Sequence, residues 1–155
     1  MRTLPGVSAA LALAATITGC GAGVVQVPVP RPDVAAAELC KRLKLPDKVH
    51  GRTRREVSPR STFTAAWGSP AIALRCGVPL PRHDMRAMIA VINGVQWLPT
   101  PQTRPVTFTA VGRKAYVEVT IPHSYTKEGS AAGEILMEFN PAVQAAMPEK
   151  PEGEL

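Results

Sequence analysis

The sequence predicts one α+β domain, a mostly antiparallel sheet of about five strands with an N-terminal and a C-terminal helix packed on one face and one disulfide. Three observations predict it. Apolar residues recur at helical spacing after Asp33 and again after residue 131, short runs of alternating apolar and polar residues lie between, and Asn93-Gly94 separates two of those runs. Strands do not alternate with helices and no internal repeat is present, which excludes a dinucleotide-binding fold. Of the 155 residues, 45% are apolar and 19% charged, the balance of a folded chain rather than of a disordered tail or a polytopic membrane protein. That length holds one modest core and excludes a multidomain enzyme.

The chain opens on Met1-Arg2 and an uncharged run from residue 4 to residue 17, ending in Ile17-Thr18-Gly19-Cys20. At ~1.5 Å per residue, the run is short of a bilayer's hydrocarbon thickness of ~30 Å, so it reads as a secretory leader rather than a spanning helix. An aliphatic residue, two small ones and a cysteine resemble the bacterial lipobox. That signal implies cleavage of residues 1–19, a diacylglyceryl group on the Cys20 sulfur and palmitate-type acylation. The protein is then expected to be exported and held by lipid on the outer face of the cytoplasmic membrane, since two or more acyl chains anchor stably where one does not. Residues 20–32 follow as a tether: Pro28, Pro30 and Pro32 disfavour helix and favour an extended chain. At ~3.1 Å per residue it would let the domain stand roughly 37 Å from the bilayer.

The domain is expected to span 33–148. Asp33 caps a helix in which Ala36, Leu39, Cys40 and Leu43 share a stripe. In the strand-like run 71–76, Ile72, Leu74 and Cys76 share a face. Both thiols point toward a core, and an even pair in an exported chain predicts a Cys40–Cys76 disulfide. A second reading makes Cys76 a nucleophile with His83 as its base, though a spacing of seven residues across Pro79 and Pro81 forces no contact.

Residues 45–60 read as a polar, basic loop and 63–67 as a short first strand, turned by Gly68-Ser69-Pro70. Runs 88–92 and 95–98 flank Asn93-Gly94, so a two-residue turn pairs Ile92 with Val95 and Ala90 with Trp97, placing all four on one face. A second hairpin joins 106–111 to 115–121 across Gly112-Arg113-Lys114, with Ala115, Val117, Val119 and Ile121 inward. Ala132, Ile135, Leu136 and Phe139 form the last helical stripe. Asn140-Pro141 interrupts it and caps a short final helix, leaving 149–155 as a loose charged tail.

Lysine and arginine number 18 against 12 acidic residues, and without Arg2 of the leader the mature chain carries 17 against 12, a net +5. Segment 31–60 holds nine cations against four acids, also +5. Anionic lipid or a cell-wall polymer suits that strip, each near-surface cation contributing about 1 kcal/mol. No phosphate-binding loop, zinc-finger spacing or aromatic RNA-binding strand points to nucleic acid.

The sequence further resembles the actinobacterial envelope lipoproteins grouped as domain of unknown function 3515. The marks are Cys40, Arg54-Arg55, Ala66-Trp67-Gly68-Ser69-Pro70, Leu74-Arg75-Cys76-Gly77-Val78 with Pro81, Val91-Ile92-Asn93-Gly94-Val95-Gln96-Trp97-Leu98, and Val111-Gly112-Arg113 leading to Tyr116-Val117-Glu118-Val119. Ser69 and Gln96 stand where relatives tend to have Asp. The resemblance implies an exported, membrane-attached protein and supplies no activity.

No nucleophile, base and charge-stabilising group converge in the sequence, so catalytic residues, metal ligands and cofactors are all expected to be none. His50, His83 and His123 lie apart, and Glu134 and Glu138 read as a solvated helix face. Trp67, Arg75, Trp97, Arg113 and Glu118 are the candidate ligand groove, two indoles as a floor and arginines for a carboxylate or phosphate. The preferred function is a non-catalytic interaction or ligand-binding module with an envelope protein partner. The alternative is a small hydrolase-like enzyme acting on cell-wall or lipid-linked substrates.

Overall fold

The computed structural model describes residues 23–83, 87–100, 105–127 and 131–155. In chain order the elements are β1 (Val25–Gln26), α1 (Val34–Lys41), β2 (Lys48–Val49), β3 (Arg52–Arg55), β4 (Val57–Ser58), β5 (Thr64–Trp67), β6 (Ile72–Val78), β7 (Ala90–Ile92), β8 (Val95–Thr100), β9 (Val106–Val111), β10 (Tyr116–Ile121), a 3-10 turn (His123–Tyr125) and α2 (Ala131–Ala146). The fold is mixed α+β with a large antiparallel sheet, two helices and one disulfide.

That sheet has eight strands in the order β2-β3-β5-β6-β10-β9-β8-β7, where about five were expected. The six apolar runs became β5 to β10. The other two come from the segment read as a basic loop, and β4 pairs separately with β1. These strands are two to four residues long and Val49 is their one buried side chain, so hydropathy carries no trace of them. Arg54 and Arg55 are held extended by pairing with Trp67 and Ala66. Lys48, exposed on the outer strand β2, also discourages pairing with another chain.

The register of the hairpin around Asn93-Gly94 is as read. Ala90, Val91 and Ile92 face Trp97, Gln96 and Val95, with Asn93 at φ +44° and Gly94 at φ +80° in the turn. Val95 and Trp97 are buried and Ile92 half-buried, but Ala90, near the start of the edge strand, stays exposed. In β10, Val117, Val119 and Ile121 are buried, as is Ala115 before it. They join Leu74, Cys76, Leu39 and Cys40 of the first half and Ile135, Leu136, Phe139 and Val143 of α2 in one apolar cluster.

Asp33 caps α1 as expected, its Oδ1 accepting from the Ala36 N–H at 2.8 Å. The Cys40–Cys76 disulfide ties that helix to β6. Helix α2, by contrast, is continuous through Pro141 to Ala146. A proline inside a helix costs about 3 kcal/mol. Phe139, Asn140, Ala142, Val143 and Ala146 are all buried beyond or beside it, and that tertiary packing outweighs the lost hydrogen bond. Asn140 therefore caps nothing; it is 2% exposed and bonded to β7 and β8 partners.

Both chain segments expected to be loose are attached. Val25 N donates to Glu56 O and Val27 N to Ser58 O, Val27 is buried, and Pro32 packs on Gly77, so residues 23–32 form a strap rather than a tether. At the other terminus, Lys150 N donates to Gly112 O, and Tyr116 Oη donates to the backbone oxygen of Leu155 at 2.8 Å. Composition concealed both, because backbone pairing asks little of the side chains.

Candidate functional site

Gly68 sits at φ +75°, and a Cβ there would lie 2.9 Å from Cγ of Arg52 and 3.1 Å from Oη of Tyr125. Its bare backbone lets those two side chains approach the turn that follows β5. Tyr125, placed by the 3-10 turn, donates its hydroxyl to Pro70 O at 2.9 Å. The His50 ring stands edge-on to the Tyr125 ring with centroids 5.6 Å apart, and the Arg52 guanidinium lies 5.8 Å from that centroid. The His50 backbone N–H donates to Oε1 of Glu138 at 2.9 Å, fastening the β2–β3 hairpin to α2.

A cleft of about 570 Å³ opens around Tyr125. Arg52, Lys127 and His50 bring nitrogen donors to its walls, Ser69, Ser124 and Tyr125 bring hydroxyls, Pro70 adds an apolar patch, and among the described residues Glu134 is the carboxylate that lines it. This volume lies in the range of small-ligand sites, about 300–1,000 Å³. The Tyr125 hydroxyl is committed to Pro70 O, and the guanidinium, ammonium and serine hydroxyl donors of the lining match the oxygens of a phosphate or carboxylate.

The residues expected to form a groove are not brought together. Trp67 and Trp97 are both fully buried, donating their indole N–H groups to Pro46 O and Asn140 Oδ1 at 3.0 Å each. They fill the core because the chain has only seven aromatics to do so. Arg75 and Glu118 face each other across β6 and β10 at 2.7 Å, on the face opposite Leu74 and Val119. Arg113 is buried elsewhere, donating to Met147 O and Gly94 O. A polar pocket of about 350 Å³ adjoins it, walled in part by the 149–154 tail.

A family profile described as Protein of unknown function (DUF3515) matches residues 3–152. The chain belongs to that family. No curated protein and no solved structure matches it. The DUF3515 span contains both halves of the disulfide and the whole lining of the Tyr125 cleft.

Cys76 of this DUF3515 chain is locked in the disulfide, which removes the thiol that a nucleophile would need, and His83 instead contacts Pro81 O through Nδ1. Cys20 lies outside the described residues. Glu134 and Glu138 are not a plain solvated face: one lines the cleft and the other holds the His50 backbone. Among the described residues no group of three His, Cys, Asp or Glu side chains is placed to hold a metal ion. Sequence reasoning missed Tyr125 and Arg52, both in stretches without periodicity. The available signal was Gly68-Ser69-Pro70, a turn that only a glycine at positive φ builds.

Proposed function

We propose that this chain is an exported lipoprotein, anchored through Cys20 to the outer face of the cytoplasmic membrane, whose domain is a non-catalytic binding module for a small anionic ligand. The observation that carries the binding reading is the Tyr125 cleft, where Arg52, Lys127 and His50 stand beside the Ser69 and Ser124 hydroxyls and the Glu134 carboxylate. Among the described residues of that lining neither serine hydroxyl is hydrogen-bonded to His50, which favours binding over hydrolysis. The lipobox at residues 17–20 supports the anchor, and a disulfide is at home in the oxidising compartment an export signal leads to. We read the domain as a two-layer sandwich with both helices on one face, a reading supported by Cys40 and Phe139 sharing a cluster with Leu74 and Val119.

The anchor is tested by intact mass and Triton X-114 partition. The wild-type chain should carry acyl mass and enter the detergent phase, and Cys20→Ser should do neither. The cleft is tested by titrating inorganic phosphate into the isotopically labelled protein. Amide signals of His50, Ser69 and Ser124 should move together and saturate, and Arg52→Gln should abolish the response. Shifts spread evenly over the surface cations would refute the site.

A further inference from the structure

We infer that the end of the sheet carrying Gly23 and the Tyr125 cleft lies against an anionic bilayer, so that the domain is held flush with the membrane. This rests on the anchor at Cys20 proposed above and adds the face and the partner. Register defines the two ends of the sheet. Trp67 opposite Ile72 and Ile121 opposite Val106 mark one end; Val78 opposite Tyr116 and Val111 opposite Gln96 mark the other. Strand β1 runs parallel to β4, and the strap reaches the far end where Pro32 meets Gly77. Its first described residue, Gly23, is therefore at the near end, beside Gly68.

One side chain ties the two together. Arg55 donates through Nη1 to Gly68 O at 2.7 Å and through Nη2 to Gly23 O. Gly68 is the neighbour of Ser69 on the cleft wall. Three residue steps separate Cys20 from Gly23. At most ~3.6 Å each, they reach about 11 Å, close to the screening length of ~8 Å at physiological ionic strength. A strapped chain of that reach cannot hold the domain away from the headgroups, as a free tether from 20 to 32 would.

Among the described residues the near end carries a small cationic excess. Lys48, Arg52, Arg54 and Lys127 are exposed there with His50, against Asp47, Glu134 and Glu138, and one oxygen of Glu138 is occupied by the His50 N–H. Phosphate-bearing headgroups complement this face, and the cleft offers one of them a site. Lys114, exposed at the far end, is the natural control.

The test is hydrogen–deuterium exchange of the full lipidated protein in phosphatidylcholine vesicles with and without phosphatidylglycerol. Phosphatidylglycerol should slow exchange in peptides covering 48–55, 68–70 and 123–127, leave the 112–114 turn unchanged, and lose its effect in high salt. Arg52→Gln with Arg54→Gln should lower the docked-to-undocked ratio about five-fold per charge, and Lys114→Gln should leave it unchanged. Equal exchange on both vesicle types, protection of the 112–114 turn instead, or protection by soluble glycerol phosphate that reaches beyond the cleft lining to Lys48 and Arg54 as that of the vesicles does, would overturn the inference. Failure of the anchor reads out separately, as protein without acyl mass that does not sediment with vesicles.

Discussion

The indole N–H of Trp97 donates to Oδ1 of Asn140 at 3.0 Å, while the Asn140 amide donates onward to the carbonyl oxygen of Ile92 at 2.6 Å. One buried side chain thus joins β8, α2 and the end of β7. Asn140→Ala would strand the indole donor and the Ile92 carbonyl together. It should destabilise the domain by about 2–3 kcal/mol. Urea unfolding of the oxidised protein checks this, and a loss within the scatter of surface variants, ~0.5 kcal/mol, would show that the bridge is not needed.

The disulfide closes a loop with a sequence separation of 36 between Cys40 and Cys76. Its chain-entropy contribution for a loop of that size is about 4 kcal/mol, a large part of a small domain's usual 5–15. The double variant Cys40→Ala, Cys76→Ala should lower the thermal midpoint by well over ten degrees. A calorimetric scan beside the reduced wild type is the check, and both samples should unfold early together.

Two glycines at positive φ separate backbone strain from packing. At Gly51, φ +68°, an added Cβ meets nothing within 4 Å; at Gly77, φ +84°, it meets Pro32 Cβ at 2.6 Å. Gly51→Ala should cost only the left-handed backbone term, about 1 kcal/mol. Gly77→Ala pays that and must also displace the strap. The expected signature is faster exchange of the Val25 and Val27 amides in Gly77→Ala alone, and equal behaviour of the two variants would mean that Pro32 does not hold the strap down.

Where side-chain patterning decides local structure, the sequence was legible. Asn93-Gly94 sets the turn, the turn sets Ala90 opposite Trp97, and the register follows. The Cys40–Cys76 pairing was legible for the same reason, since each periodicity placed one thiol inward. Legibility ended where pairing is made by backbone alone: β3 is Arg-Thr-Arg-Arg, and only its neighbour β5 makes it a strand. Pro28, Pro30 and Pro32 predict an extended chain but cannot say that Val27 is buried. The cleft was hidden more deeply, because His50, Gly68 and Tyr125 meet only after the hairpin, the turn and the 3-10 segment have docked. The aromatic groups proposed for a groove were the ones the core could least do without.

Arg113 gives the sharpest separation of charge from geometry. Its guanidinium donates to Met147 O and Gly94 O at 3.1 Å each and meets Glu149 at 3.0 Å, so it joins the end of α2, the β7–β8 turn and the tail. Arg113 is 6% exposed at the side chain and Glu149 72%, so the Met147 contact is buried and the Gly94 contact part-buried, while the ion pair is largely solvated. Glu149→Gln should therefore cost less than about 1 kcal/mol. Arg113→Gln removes the donor from one buried and one part-buried carbonyl and should cost about 2–3 kcal/mol. Arg113→Lys keeps the charge but not the planar fork, so it should recover less than half of that loss. Urea midpoints of the three variants decide it. Full recovery by lysine, or equal losses for Glu149→Gln and Arg113→Gln, would assign the effect to charge and remove the bridging role.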